Sequence, residues 1–170
     1  LKSIEESDET LVVVFDPPTD LGGGTLSNYE YQLNGGDWVA FDPAITSSPA
    51  TIGGLTNGTD YSVRIRAVSD GGAGDPSGAK TGNPFTAPSA PTVTAIEETD
   101  GALVVAFNPP SDLGGRALSN YEYQLNGGDW VAFDPAITSS PAIIGGLING
   151  TDYSVRLRAV TGGNVGAGEA

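Results

Sequence analysis

Apolar and polar residues alternate with a period of two along three stretches of this chain. In "LVVVF" (11–15) the inward set is Leu11, Val13 and Phe15; in "YEYQL" (29–33) it is Tyr29, Tyr31 and Leu33; in "YSVRIRA" (61–67) it is Tyr61, Val63, Ile65 and Ala67. Glu30, Gln32, Arg64 and Arg66 then share the opposite, wet face. No stretch carries the 3.6-residue period of an amphipathic helix. The runs are short, rich in β-branched and aromatic residues, and punctuated by 25 Gly and 12 Pro, so the pattern predicts an all-β sandwich or barrel. Asn-Gly at 34–35 and 126–127 accepts the positive φ angles of a tight turn, which makes "YEYQL" and "WVAF" predicted hairpin partners.

The same pattern occurs twice. Residues 26–68 recur at 118–160 with 40 identities in 43, the exceptions being Thr51/Ile143, Thr56/Ile148 and Ile65/Leu157. The identities include outward-facing positions, which packing alone does not require; recent duplication accounts for them most simply. An offset of 92 in a chain of 170 residues predicts two small domains, at 1–86 and 87–170. "GNPFTAPSAP" (82–91) is the predicted linker, its prolines favouring extended geometry. The chain contains no Met and starts at Leu1, as expected of a segment cut from a longer product.

Composition narrows the chemistry. There is no Cys and no His, which removes disulfides, thiolate nucleophiles and the commonest zinc ligands together. With 21 acidic and 7 basic residues the net charge is −14, and both copies repel polyanions, so nucleic-acid binding is disfavoured. No run of apolar residues is long enough for a membrane-spanning helix, so membrane insertion is not expected.

The ensemble "LVVVFDPPTDLGG…LSNYEYQL…GLTNGTDYSVRIRAVSDGGAGDPS" resembles the fibronectin type III domain, and does so twice over nearly the whole chain. The "GGDW" hairpin and "NGTDYSVRIRAV" look like the prokaryotic surface and phage varieties. The resemblance implies two tandem immunoglobulin-like sandwiches, each with one sheet of three strands and one of four. It also implies that Tyr61 and Tyr153 are structural, each turning its hydroxyl back to the backbone near Leu55 or Leu147. Two departures stand out. Phe15 and Phe107 occupy the place where the family usually has Trp, and the second copy ends in "VGAGEA", so its last strand is expected to be absent and supplied by a longer array or a neighbour.

Candidate chemistry is sparse. Asp37 and Asp42, repeated as Asp129 and Asp134, are the nearest approach to a carboxylate pair, but they flank a short strand in an exposed hairpin, and catalysis is not expected. No cofactor is expected. Calcium is the one metal ion weighed, through "SDGGAGD" (69–75) or "EESDE" (5–9); neither has the alternating spacing of a calcium loop, and ordinary acidic turns are the plainer reading. Trp38 with Phe41, and Trp130 with Phe133, have two readings: a Trp covering the sandwich edge over its Phe, or a flat aromatic patch for a sugar ring or a protein partner. "NGT" at Asn57 and Asn149 matches a glycosylation acceptor, yet turn chemistry explains it better.

The sequence thus points to a non-catalytic structural or adhesive spacer in a longer extracellular surface or filament protein. Its expected partners are neighbouring domains of the same chain or assembly and surface polysaccharide or protein. Two alternatives remain: a virion component, as a capsid decoration or tail-fibre module, and an accessory module of a secreted polysaccharide-degrading enzyme.

Overall fold

The computed structural model describes residues 1–162, 168 and 170. The described residues form strands, turns and loops without a helix, an all-β architecture of the immunoglobulin-like sandwich type. The chain divides into two compact units, Leu1–Phe85 and Thr86–Ala170.

In the first unit β1 (Ser3–Ser7), β2 (Thr10–Val14) and β5 (Ala50–Ile52) make one sheet in the order β1-β2-β5. The second sheet runs β4 (Trp38–Ala40), β3 (Leu26–Leu33), β6 (Tyr61–Ser69), β7 (Gly72–Ala73), with β8 (Lys80–Gly82) also pairing β6. All these pairings are antiparallel, as short connections allow. Their inner faces meet in one core: Leu11, Val13, Ala50 and Ile52 come from the first sheet, Tyr29, Val63 and Ile65 from the second, with Phe15, Phe41 and Leu55. Every residue assigned inward by alternation is buried or packs against that cluster. Phe15 and Tyr29 stack with ring centroids 4.7 Å apart at 60°.

The β3–β4 hairpin turns at Asn34 and Gly35, with φ of 52° and 73°. Two positive φ angles match the twist of the flanking strands, and Asn-Gly adopts them at low cost. The turn is then pinned to β6: Asn34 N–H donates to Ser62 O at 2.8 Å, and Ser62 N–H donates to Asn34 Oδ1 at 2.7 Å.

In the second unit β9 (Thr92–Thr99), β10 (Ala102–Asn108) and β13 (Ala142–Gly145) pair in the order β13-β10-β9. β12 (Trp130–Ala132), β11 (Leu118–Leu125) and β14 (Val155–Thr161) pair in the order β12-β11-β14. Its core repeats the first: Leu103, Val105, Phe107, Tyr121, Phe133, Ala142, Ile144, Leu157 and Ala159. The expected absence of a last strand in this copy falls on 163–167 and 169, outside the described residues.

Residues 82–91 do not stand apart from the units. Phe85 N–H donates to Ser7 O and Gly58 N–H to Pro84 O in the first unit, while Thr86 N–H donates to Gly114 O and Ser89 N–H to Asp112 O in the second.

Candidate contact surface

Strand register decides which side chains share the outer face. β3 pairs β6 with Glu30 opposite Arg66 and Gln32 opposite Arg64, and β4 pairs β3 with Trp38 opposite Gln32. Directly opposed side chains touch, and long ones reach their diagonal neighbours. Arg66 uses that reach in two directions. Its Nε and Nη2 contact Glu30 Oε2 at 2.7 and 2.6 Å, and its guanidinium carbon lies 4.3 Å from the centroid of the Trp38 ring. The carboxylate thus fixes the plane of the guanidinium, and the indole face stacks on a cation already held in place. The second unit repeats the arrangement with Arg158, Glu122 and Trp130 at the same distances, 2.7, 2.6 and 4.3 Å.

Trp38 and Phe41 do not come together into one patch. Phe41 is 8% exposed and packs on Tyr31 with centroids 4.9 Å apart, on the core side of the sheet; Phe133 packs on Tyr123 in the same way. Phe41 follows Trp38 by three residues, so alternation puts it on the opposite face, and its N–H donates to Tyr29 O at 3.1 Å. The half-buried Trp38 therefore has Arg66, and not Phe41, as its face partner.

Tyr61 and Tyr153 sit at the entry to the sixth and fourteenth strands. Thr56 N–H donates to the Tyr61 hydroxyl at 3.0 Å, and Ile148 N–H to the Tyr153 hydroxyl at 3.1 Å. Asp37, Asp42, Asp129 and Asp134 are exposed. In the segments weighed for calcium, Asp70 Oδ1 accepts from Thr25 N–H at 2.8 Å and Asp8 Oδ1 accepts from Asn57 Nδ2 at 2.7 Å. Among the described residues no group of three or more Asp or Glu is placed to hold a metal ion.

Asn28 has a role that the sequence reading did not reach, and Asn57 and Asn149 reach from their own turns to another turn. Asn28 donates to Phe41 O at 2.9 Å while its Oδ1 accepts from Tyr29 N–H at 2.8 Å and Ile45 N–H at 2.9 Å, which fastens residues 41–45 to the strand beside them. Asn57 ties the loop before β6 to the β1–β2 turn, its Oδ1 accepting from Glu9 N–H at 2.9 Å while Nδ2 holds Asp8. Asn149 does the same with Gly101 N–H and Asp100. Comparing the two copies at the offset of 92 would have flagged that turn, because Glu9 in one is Gly101 in the other.

The comparisons with known proteins agree with this architecture. Residues 1–82 match the fibronectin type III domain family. The chain is 32% identical over 143 residues to neural cell adhesion molecule 1-B of Xenopus laevis, an alignment that covers 76% of the chain and 13% of that protein. It is 33% identical over 128 residues to neural cell adhesion molecule 1 of Gallus gallus, covering 69% and 12%, and 30% identical over 137 residues to human myomesin-2, covering 72% and 9%. The chain thus spans about an eighth or less of the length of these relatives. With its two sheets, single core and aromatic pair at Phe15 and Tyr29, the segment 1–82 is a fibronectin type III domain.

Proposed function

We propose that the chain is a tandem pair of fibronectin type III modules acting as a non-catalytic spacer and contact element of a longer extracellular surface or filament protein, of the prokaryotic variety that its "GGDW" and "NGTDYSVRIRAV" stretches resemble. One observation carries the contact half of this reading: the Trp38–Arg66–Glu30 arrangement is repeated by Trp130–Arg158–Glu122 at matching distances. Duplicated weak surfaces gain by avidity when they engage one extended target. The spacer half is supported by the match to a domain found in adhesion molecules and myomesin, and by a composition without His or Cys.

A fluorescence titration of the intact chain with surface polysaccharides tests the contact. Quenching or a blue shift is expected, halved in Trp38→Phe; calorimetric titration of Trp38→Phe/Trp130→Phe should show no binding, and binding that survives the double substitution would remove the outer face from the account. The neighbouring coding sequence tests the setting, since adjoining capsid or tail genes would favour the virion role and an adjoining catalytic domain the enzyme accessory role.

A further inference from the structure

Residues 80–85 close one end of the first unit. Lys80, Thr81 and Gly82 pair with Val63, Ser62 and Tyr61 of β6, and the segment then passes to the other sheet. Asn83 N–H donates to Glu6 Oε1 at 2.8 Å, and Asn83 Nδ2 donates to Asp60 Oδ1 at 2.7 Å. Pro84 O accepts from Gly58 N–H at 2.8 Å, and Phe85 N–H donates to Ser7 O at 3.2 Å. Gly82 and Pro84 are buried, and a Cβ at Gly82 would lie 2.8 Å from both Ile4 Cγ2 and Leu11 Cδ2. Only glycine lets the backbone run that close to the core.

The second unit carries the same receiving surface as an open groove of about 270 Å³. Ile96, Glu98, Leu103, Gly150, Asp152 and Tyr153 line it, at the positions of Ile4, Glu6, Leu11, Gly58, Asp60 and Tyr61. Its core side is less covered. Ile96 is 43% exposed where Ile4 is half-buried, and Leu147 and Val155 are half-buried where Leu55 and Val63 are buried. β6 starts at Tyr61, whereas β14 starts at Val155 and leaves Tyr153 outside the strand. Among the described residues β14 also ends its sheet.

A strand edge pairs with any extended peptide, so backbone bonds alone do not select one. The groove's side chains do. Leu103 and Ile96 leave no room for a Cβ, Glu98 and Asp152 call for one residue that donates from both its backbone and its side chain, and an aspartate there would meet a like charge. Gly-Asn-Pro-Phe meets these demands in the first unit, position by position.

We infer that the groove of the second unit receives an extended Lys-Thr-Gly-Asn-Pro-Phe segment from a neighbouring module of the same longer protein, its asparagine bridging Glu98 and Asp152. This rests on reading the chain as part of an array of such modules. The two fail separately: a peptide that does not bind removes the groove and leaves the array, while a coding sequence without further modules removes the array.

The test is a titration of the intact chain with the acetylated and amidated peptide of residues 80–85, followed by backbone amide NMR. Binding in the millimolar range is expected, with shifts at 96–103 and 147–155 and none at 4–11 or 55–63, where the chain's own segment sits. The Gly82→Ala and Asn83→Asp versions of the peptide should each bind about tenfold more weakly, and Asp152→Ala in the chain should weaken binding about fivefold. Appending residues 79–85 after Ala170 reproduces the register of the first unit, and should abolish the peptide's shifts and raise the melting temperature of the second unit, read through Trp130 in Trp38→Phe, by about 5–10 °C. No shifts, equal shifts in both units, or equal binding of the Asn83→Asp peptide would each overturn the assignment. Peptide binding that persists in the extended chain would overturn the same-protein source.

Discussion

The two units share one face and differ at one end. On the outer sheet face Trp38, Arg66 and Glu30 match Trp130, Arg158 and Glu122 residue for residue and distance for distance. At the loop end the chain changes sign. Asp16, Gly24, Asp70 and Asp75 of the first unit stand where the second has Asn108, Arg116, Gly162 and Ala167. At these four positions the first unit carries three carboxylates and the second none, although the core beneath is the same: Phe15 meets Tyr29 and Phe107 meets Tyr121 at 4.7 Å in both. Burial also raises the hydroxyl pKa of both Tyr29 and Tyr121 above the ordinary phenol value. A sandwich core therefore constrains neither its outer face nor its loops, so a face that is identical and a loop end that is not are separate facts, each requiring its own explanation.

The comparison breaks most visibly in the core. Phe15→Ala and Phe107→Ala should each destabilise their own unit by about 3–5 kcal/mol, since both rings are almost fully buried against a tyrosine. Denaturant unfolding of Trp130→Phe and Trp38→Phe backgrounds reads the first and second units separately. Unequal costs would mean that the two cores are not the equivalents their geometry makes them.

A smaller effect tests the loop ends. A Cβ at Gly24 would collide with the Asp70 carboxylate and lie 3.0 Å from Ser69 Oγ, and Asp70 is itself held by Thr25 N–H. The second unit carries Arg116 at that place with Gly162 opposite. Gly24→Arg alone should destabilise the first unit by about 1–2 kcal/mol, and Gly24→Arg/Asp70→Gly should recover most of it, the signature of coupled neighbours in a double-mutant cycle. Additive costs would show that the two differences arose independently.

How far the sequence could foresee these features depends on how local they are. Alternation places Glu30 and Arg66 on one face, and Asn-Gly fixes the hairpin that brings Trp38 beside them, because both signals lie within a few residues. The stack of Arg66 on Trp38 needs the register of three strands at once, and alternation supplies the face without the register. Alternation alone also separates Phe41 from Trp38: three residues apart, they are neighbours along the chain and fall on opposite faces of the sheet. Asn57 partners residues 48 and 49 positions away, and Asn83 partners residues 77 and 23 positions away; neither has a local signature.

One local signature is legible by comparing the copies. Glu9 has φ of 50°, the left-handed region, where Gly101 of the second unit has 64°. A side chain there crowds the following carbonyl by about 1–2 kcal/mol, partly offset by the greater freedom of an unfolded glycine. Glu9→Gly should therefore stabilise the first unit by about 0.5–1 kcal/mol. Thermal unfolding read through Trp38 measures it. The Asn57 bond to this backbone N–H is kept, so a loss of stability would point to a role for the Glu9 side chain itself.

The smallest expected effects concern the two exposed differences. Ile143 and Ile148 are 66% and 72% exposed where the first unit has Thr51 and Thr56. Ile148 contributes to its turn through backbone N–H, which donates to the Tyr153 hydroxyl whatever the side chain. Ile143 stands opposite Val104 in the sheet, as Thr51 stands opposite Val12, and Thr is as β-branched as Ile. Ile143→Thr and Ile148→Thr should each change the stability of the second unit by less than about 0.5 kcal/mol. A loss above about 1 kcal/mol at Ile143, measured by denaturant unfolding at two protein concentrations, would mean that this sheet face is covered in solution, and concentration dependence would identify a second copy of the chain as the cover.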